Sequence, residues 1–273
     1  MPPHTIFFVG PQRYHTGIKA KYLPSWCGDK TDDYWNLYHG KRTDGGAVTV
    51  YSPAPAEKTV LIGAYRTNLE RSRFRDSDKN DAGFEAHPIV VALRRAARAS
   101  VEFKFETIAK TYLTGYSNGD LSTHPAIVVI SYQVSTMNLF EMYRLGIPLF
   151  FPSLKLLCEW YGAHHIMWER QYGQPDRLAD LIGTDTDWPD PNAESEESFR
   201  FWVKLSDWYV WPHIQHFDSW ESLVDKLNRM SRSDLEGISR KMMAHNRQQK
   251  AELVEDWTGV FARMKPTGRV HLT

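Results

Sequence analysis

The chain has little cysteine and no excess charge of either sign. Its two cysteines, Cys27 and Cys158, lie far apart in 273 residues and match neither a zinc site nor a redox motif. No disulfide framework follows from two such thiols, so the composition favours a reducing compartment. The 33 Lys and Arg residues balance 33 Asp and Glu residues. The sequence therefore predicts neither a nucleic-acid partner nor attraction to an anionic membrane.

Long apolar runs and several catalytic motifs are also missing. No segment approaches the roughly 18 apolar residues of a membrane-spanning helix, and residues 1–9 lack the basic region of a secretion signal. We therefore expect a cytoplasmic protein. The stretch 10–17 lacks the Gly-Lys-Ser/Thr ending of a phosphate loop, and no Gly-x-Ser-x-Gly nucleophile motif occurs.

Two short motifs raise the question of a metal site. Asp185-Thr-Asp187 has the spacing with which some glycosyltransferases hold a divalent cation, but it lies in an acidic segment, 185–198, that reads as a solvated surface loop. The pair His164-His165 has no third ligand at a suitable spacing. The sequence therefore predicts no bound metal.

The chain divides at about residue 59. Residues 1–58 read as an irregular segment, whereas residues 59–273 alternate between strands and helices. Predicted strands are 60–64, 101–108, 124–131 and 147–151, and predicted helices include one opened by His87-Pro88 and one at 134–145. This alternation predicts an α/β domain with a Rossmann-like, doubly wound parallel sheet.

The C-terminal tail is predicted to be helical. A helix is expected at 154–161, and two capping boxes, 218–221 and 233–236, each precede apolar residues at helical spacing. The last helix is expected to run to about Met264.

The turn between the predicted strand 124–131 and the following helix is the candidate ligand site. Ligands of open parallel sheets bind beyond the carboxyl ends of the strands, where helix N-termini present free N–H groups. Gln133 lies in this turn, and Ser135 and Thr136 add hydroxyl groups that suit a diphosphate. Ordinary N-capping by Ser135 is the alternative interpretation.

Glu141 follows on the same helix. A carboxylate one and a half turns into a helix, and tilted back toward its N-terminus, can accept hydrogen bonds from two ribose hydroxyls. Gly146 is expected to end the helix, and Pro148 to begin the next strand without loss of a donor.

The segment 135–151, with Glu141, Gly146 and Pro148, resembles the donor-binding segment of glycosyltransferases with the GT-B fold. The resemblance implies that Glu141 holds the nucleotide ribose and that the helix start faces the diphosphate. The strand 60–64 followed by Arg66 is similar to the first strand of the same half of those enzymes, which implies that Arg66 contacts the phosphates. An ordinary solvated arginine is the alternative for Arg66.

This resemblance implies a metal-independent glycosyltransferase, or its donor-binding half, that takes a nucleotide-diphosphate sugar as substrate and needs no cofactor. Residues 1–58 would be the remnant of an acceptor domain, or a partner chain would supply that domain. Acid–base candidates in this segment are His15, Asp29, Asp32, Asp33 and His39, none of them favoured. The alternative is a non-catalytic α/β module that binds a nucleotide or a protein.

Overall fold

A five-stranded parallel sheet forms the centre of the protein. The computed structural model describes residues 50–63, 87–130, 137–164, 166–167, 189, 193 and 195–263. The strands in this part of the chain are β1 (Thr59–Gly63), β2 (Lys104–Thr107), β3 (Ile127–Val129), β4 (Leu149–Pro152) and β5 (Gln215–Phe217). They lie in the order β2-β1-β3-β4-β5, and each neighbouring pair is parallel. The predicted α/β class with a parallel sheet is confirmed.

Continuous apolar runs form the inner strands because both faces of a parallel sheet are covered. Val60 and Leu61 of β1 and all three residues of β3 are buried. The predicted strands exist but are shorter or shifted. Strand β3 comprises Ile127–Val129 of the predicted run 124–131. His124, before it, bonds through its side-chain Nδ1 to the Thr59 carbonyl oxygen at 2.9 Å.

Helices cover the sheet and make up most of the C-terminal region. Among the described residues the helices are α1 (Pro88–Ala97), α2 (Ile108–Thr111), α3 (Asn118–Ser122), α4 (Met137–Arg144), α5 (Leu154–His164), α6 (Glu196–Val203), α7 (Asp207–Val210), α8 (Trp220–Arg229) and α9 (Arg232–Arg263). The predicted helical tail is confirmed. No helix in the described ranges is sufficiently long and apolar to cross a lipid bilayer.

Helix α1 begins as its sequence predicts. Pro88 occupies the first turn, where a missing N–H costs nothing. His87 is the N-cap, and its Nδ1 accepts a hydrogen bond from the Ile89 N–H at 3.2 Å.

The two predicted capping boxes were placed wrongly by one and two residues. Helix α8 is capped by Ser219 and Ser222, not by Asp218 and Glu221, and each serine accepts from the other's backbone N–H at 3.0 Å. Helix α9 is capped by Ser231 and Asp234, not by Ser233 and Glu236: the Asp234 N–H donates to Ser231 Oγ at 3.2 Å, and the Ser231 N–H donates to Asp234 Oδ2 at 2.8 Å. Both segments contain overlapping Ser and acidic residues, so tertiary packing selects the register.

The prediction of a surface loop at 185–198 is wrong at its C-terminal end. Ser195 caps α6, and Glu196, Glu197 and Ser198 form its first turn. Two glutamates suit this position because the helix N-terminus carries partial positive charge. The buried Phe199 and Trp202 then anchor the helix.

Gly146 ends α4 as predicted. Its φ is +74°, and the N–H groups of Gly146 and Ile147 donate to Tyr143 and Met142 carbonyls at 3.0 and 3.2 Å. This is the Schellman arrangement, which favours glycine at the left-handed position.

Helix α9 packs against the amino-terminal side of the sheet. Arg232 Nη1 donates to the carbonyl oxygen of Ala54, which precedes β1, at 3.1 Å. Asn246 accepts from Arg144 Nη1 at 2.6 Å and donates to the Tyr143 carbonyl oxygen at 3.1 Å. Helix α9 thus contacts both the segment that precedes β1 and the end of α4.

Candidate functional site

The carboxyl ends of β1 and β3 meet at the edge of the sheet. The Ile130 N–H donates to the Gly63 carbonyl oxygen at 3.3 Å. Strand β1 lies between β2 and β3 in the sheet. The next two strands of the chain therefore lie on opposite sides of β1. The segments that follow Gly63 and Ile130 therefore start from neighbouring points, which is where open parallel sheets bind ligands.

Four of the five predicted donor-binding residues lie outside the described residues. They are Arg66, Gln133, Ser135 and Thr136. The Asp185-Thr-Asp187 motif, which was not predicted to bind a metal, lies outside them too, as do the acid–base candidates of the first 49 residues. Of the predicted site, the structure therefore places Glu141 alone.

Glu141 is a partly enclosed carboxylate on a buried helix. Among residues 139–145 it is the only one that is not buried. Burial raises the pKa of its carboxyl above the ordinary value, because a carboxylate loses hydration in an apolar setting. Within the described part of the chain, no ion pair or side-chain hydrogen bond to Glu141 occurs. The two carboxylate oxygens can accept hydrogen bonds from hydroxyl groups.

The position of Glu141 along the helix also matters. It lies four residues after Met137, the first residue of α4, which places its backbone about 6 Å from the start of the helix. The helix runs from the carboxyl end of β3 toward the start of β4. Side chains of a helix tilt toward its N-terminus, so the Glu141 side chain is directed back toward the carboxyl edge from the fifth of the eight residues of α4.

Helices α1 and α8 begin on the same side of the protein. They end together, since Asn228 Nδ2 donates to the Ala99 carbonyl oxygen at 3.3 Å and the Val101 N–H donates to Asn228 Oδ1 at 3.2 Å. Helix α8 starts three residues after β5. The N-termini of both helices therefore lie toward the carboxyl ends of the strands.

The end of α5 lies beside these two helix starts. Trp160 contacts Trp220, the first residue of α8, with ring centroids 5.4 Å apart. His164 meets His87 edge to face at 5.0 Å. The second half of α5 thus brings two histidines together on the carboxyl side of the sheet.

Both imidazoles are held in their neutral form. Burial, with a smaller effect from His164, lowers the pKa of His87 to about 4. Burial also lowers the pKa of His164. Neutral imidazole is the form that accepts a proton or ligates a metal. In the residues with described structure, no three His, Cys, Asp or Glu side chains come together as a metal site.

Sequence reasoning did not find this pair. His87 was predicted to open a helix, and His164 was considered with His165 for zinc. His87 and His164 are 77 positions apart in the sequence, and no pattern in the sequence signals that the two rings touch. Only the route of α5 across the edge of the sheet brings them together.

A second feature lies at the opposite edge of the sheet. A cleft of about 400 Å³ is lined in part by Tyr51, Pro55, Lys58, Phe103, Arg229 and Met230. Lys58 and Phe103 immediately precede β1 and β2, so this cleft is at the amino ends of the strands. Lys58 pairs with Glu102 at 3.5 Å, and Arg232 pairs with Glu236 at 3.3 Å. The sequence predicted no pocket there.

No protein-family model matches the chain, and no curated protein or solved structure resembles it at a significant level.

Proposed function

We propose that this chain is a metal-independent glycosyltransferase, or its donor-binding half, and that it holds a nucleotide-diphosphate sugar at the carboxyl ends of β1 and β3. The sheet would be Rossmann-like and doubly wound. The strand order supports this fold, because β2 and β3 pair with β1 on its opposite sides. Right-handed crossovers then place helices on opposite faces and leave a crevice between the two strand ends.

The diphosphate would lie between the segments that leave β1 and β3. Arg66 comes three residues after Gly63, and Gln133, Ser135 and Thr136 come three to six residues after Ile130. An arginine holds two phosphate oxygens at once, and hydroxyl and backbone donors add to it. The 3.3 Å hydrogen bond between Gly63 and Ile130 supports this convergence.

Glu141 would bind the ribose, and its partly enclosed position on α4 is the observation on which the proposal chiefly depends. Its carboxyl is partly enclosed and desolvated, and it lies about 6 Å along a helix that starts at the proposed diphosphate site. Two ribose hydroxyls would donate to its two oxygens and offset the lost hydration.

Transfer without a metal would depend on fixed donors that stabilise the departing diphosphate. Arg66, Ser135 and Thr136 would fill that role. His164 is half-buried and neutral on the same side of the sheet, and it has the chemistry to accept a proton from an acceptor hydroxyl.

Thermal unfolding in the presence of UDP, GDP and their sugars tests the proposal. A ligand at about 100 times its Kd stabilises the native state by about 2.7 kcal/mol. We expect one of these nucleotides to raise the Tm of the wild type, and we expect Glu141→Ala to lose most of that increase. Glu236→Ala is the matched control, since Glu236 is a glutamate on a helix surface that pairs with Arg232.

Hydrolysis of the donor sugar, measured in the same samples, separates an enzyme from a binding module. Stabilisation by a nucleotide without any turnover would favour the module. Absence of stabilisation by every nucleotide, or an equal increase in Tm for wild type and Glu141→Ala, would contradict the proposed site.

A further inference from the structure

The last part of α9, residues 250–263, is largely exposed. The helix has 32 residues, which corresponds to about 48 Å. Its first part packs through Leu235, Met242 and Asn246, which are buried. Gln249 still accepts from Arg144 Nη1 at 2.8 Å.

An apolar stripe runs along this exposed segment. It consists of Leu253, Val254, Trp257, Val260 and Phe261, and the helical repeat of 3.6 residues puts all five on one face. Val254 is 59% exposed, Trp257 41% and Phe261 62%. The rings of Trp257 and Phe261 stack with centroids 5.6 Å apart. A contiguous apolar face of this kind marks an interaction surface.

The two flanks of the stripe differ. Asp256 and Arg263 are seven residues apart, so both lie on the same flank with opposite charges. Small residues, Ala251, Thr258 and Ala262, occupy the other flank. A partner that matches this pattern presents an apolar face with charges of opposite sign in reversed order.

A second copy of the same helix, in the antiparallel orientation, has that pattern. In an antiparallel pair, Trp257 packs beside Val260 of the second copy, and Val260 beside Trp257 of the second copy. The charged flanks then face each other, and Asp256 of each copy meets Arg263 of the other. Lys250 lies seven residues before Trp257 and therefore on the same face of the helix. A parallel pair would place each of these two residues against itself, so like charges would meet at Lys250 and the antiparallel arrangement is favoured.

We propose that two copies of this chain associate through residues 250–263 of α9, packed antiparallel about a two-fold axis. The same surface serves both partners, so the contact closes on itself. Four turns of helix bury less than the roughly 1,200 Å² of a stable interface. The dimer is therefore weak, and its population rises with protein concentration.

Sedimentation velocity across a wide concentration range, combined with charge reversal, tests this pairing. Asp256→Arg alone and Arg263→Asp alone each put two like-charge contacts into the dimer, and each should weaken it by about tenfold. The double variant Asp256→Arg/Arg263→Asp restores opposite charges and should return the dimer constant to the wild-type value. Glu255→Arg, on the face away from the stripe, is the matched control.

Helix content by circular dichroism shows whether each variant stays folded, and Trp257→Ser/Phe261→Ser should abolish the dimer without loss of helix. Failure of the double variant to restore association would overturn the antiparallel pairing. A wild type that stays monomeric at every concentration would overturn the proposal, and shielded Trp257 fluorescence in that monomer would show that a segment of the same chain covers the stripe.

Discussion

Asp207 is a carboxyl group enclosed within the protein. It is 3% exposed at the first residue of α7. Burial raises the pKa of its carboxyl to about 7, although the nearby positive charge of Arg144 acts in the opposite direction. The Asp207 carboxyl is therefore protonated and neutral in the native state at mildly acidic pH.

This enclosure predicts a pH dependence of stability. Below the unfolded pKa of 3.8 the group is protonated in both states and has no effect. Between there and about pH 7 the unfolded state ionises first, so stability falls as pH rises and then levels off. Three pKa units correspond to about 4 kcal/mol.

Asp207→Asn keeps the shape of the neutral acid and cannot ionise. Its free energy of unfolding, relative to wild type, should therefore rise by up to about 4 kcal/mol between about pH 4 and pH 8. Urea unfolding at a series of pH values measures this difference, with Asp225→Asn on the exposed surface of α8 as the matched control. A constant difference at all pH values would show that Asp207 is not desolvated.

At the scale of the element, the junction between α4 and α9 depends on a residue without a side chain. Gly146 has a left-handed backbone, and a Cβ at this position would lie 2.9 Å from both Met243 Cγ and Ser239 Oγ. Replacing Gly146 by alanine would therefore destabilise the protein in two ways. The left-handed backbone is unfavourable for alanine, and the added methyl group would overpack the contact with α9.

Gly146→Ala should lower the free energy of unfolding by about 2–4 kcal/mol. Gly237→Ala is the contrasting control, since Gly237 lies inside α9 and its nearest neighbour would be 3.7 Å away. There the same change should stabilise by about 0.5–1 kcal/mol, because alanine favours a helix. Chemical denaturation of both variants measures whether their free energies of unfolding change in opposite directions. A Gly146→Ala protein as stable as the wild type would refute the close approach of α9.

Elements with a strong local signal were predictable from the sequence. His87-Pro88 marked the start of α1, and Gly146 marked the end of α4. The caps of α8 and α9 were off by one and two residues because several Ser and acidic side chains compete locally. The helical end of the acidic segment was missed because its apolar anchors, Phe199 and Trp202, follow the acids rather than lie among them.

At the scale of the whole molecule, alternating apolar runs predicted a parallel α/β sheet, but not its order. Strand order depends on pairings between distant residues, such as Leu61 with Ile127 and Phe150 with Gln215. The predicted site shares this limit. The partial enclosure of Glu141, the contact of His87 with His164 and the cleft before β1 arise from tertiary packing, which local patterns do not encode.

We propose that Glu141 binds a ribose at the carboxyl edge of the sheet. Calorimetric titration of the wild type and Glu141→Ala, each with the stabilising nucleoside diphosphate and with its 2′,3′-dideoxy analogue, tests it most directly. Each hydrogen bond to a carboxylate contributes about 1.5–3 kcal/mol. Loss of both hydroxyls should therefore weaken binding to the wild type by about a hundredfold or more, and should hardly change binding to Glu141→Ala. Equal weakening in both proteins would contradict the contact between Glu141 and the ribose.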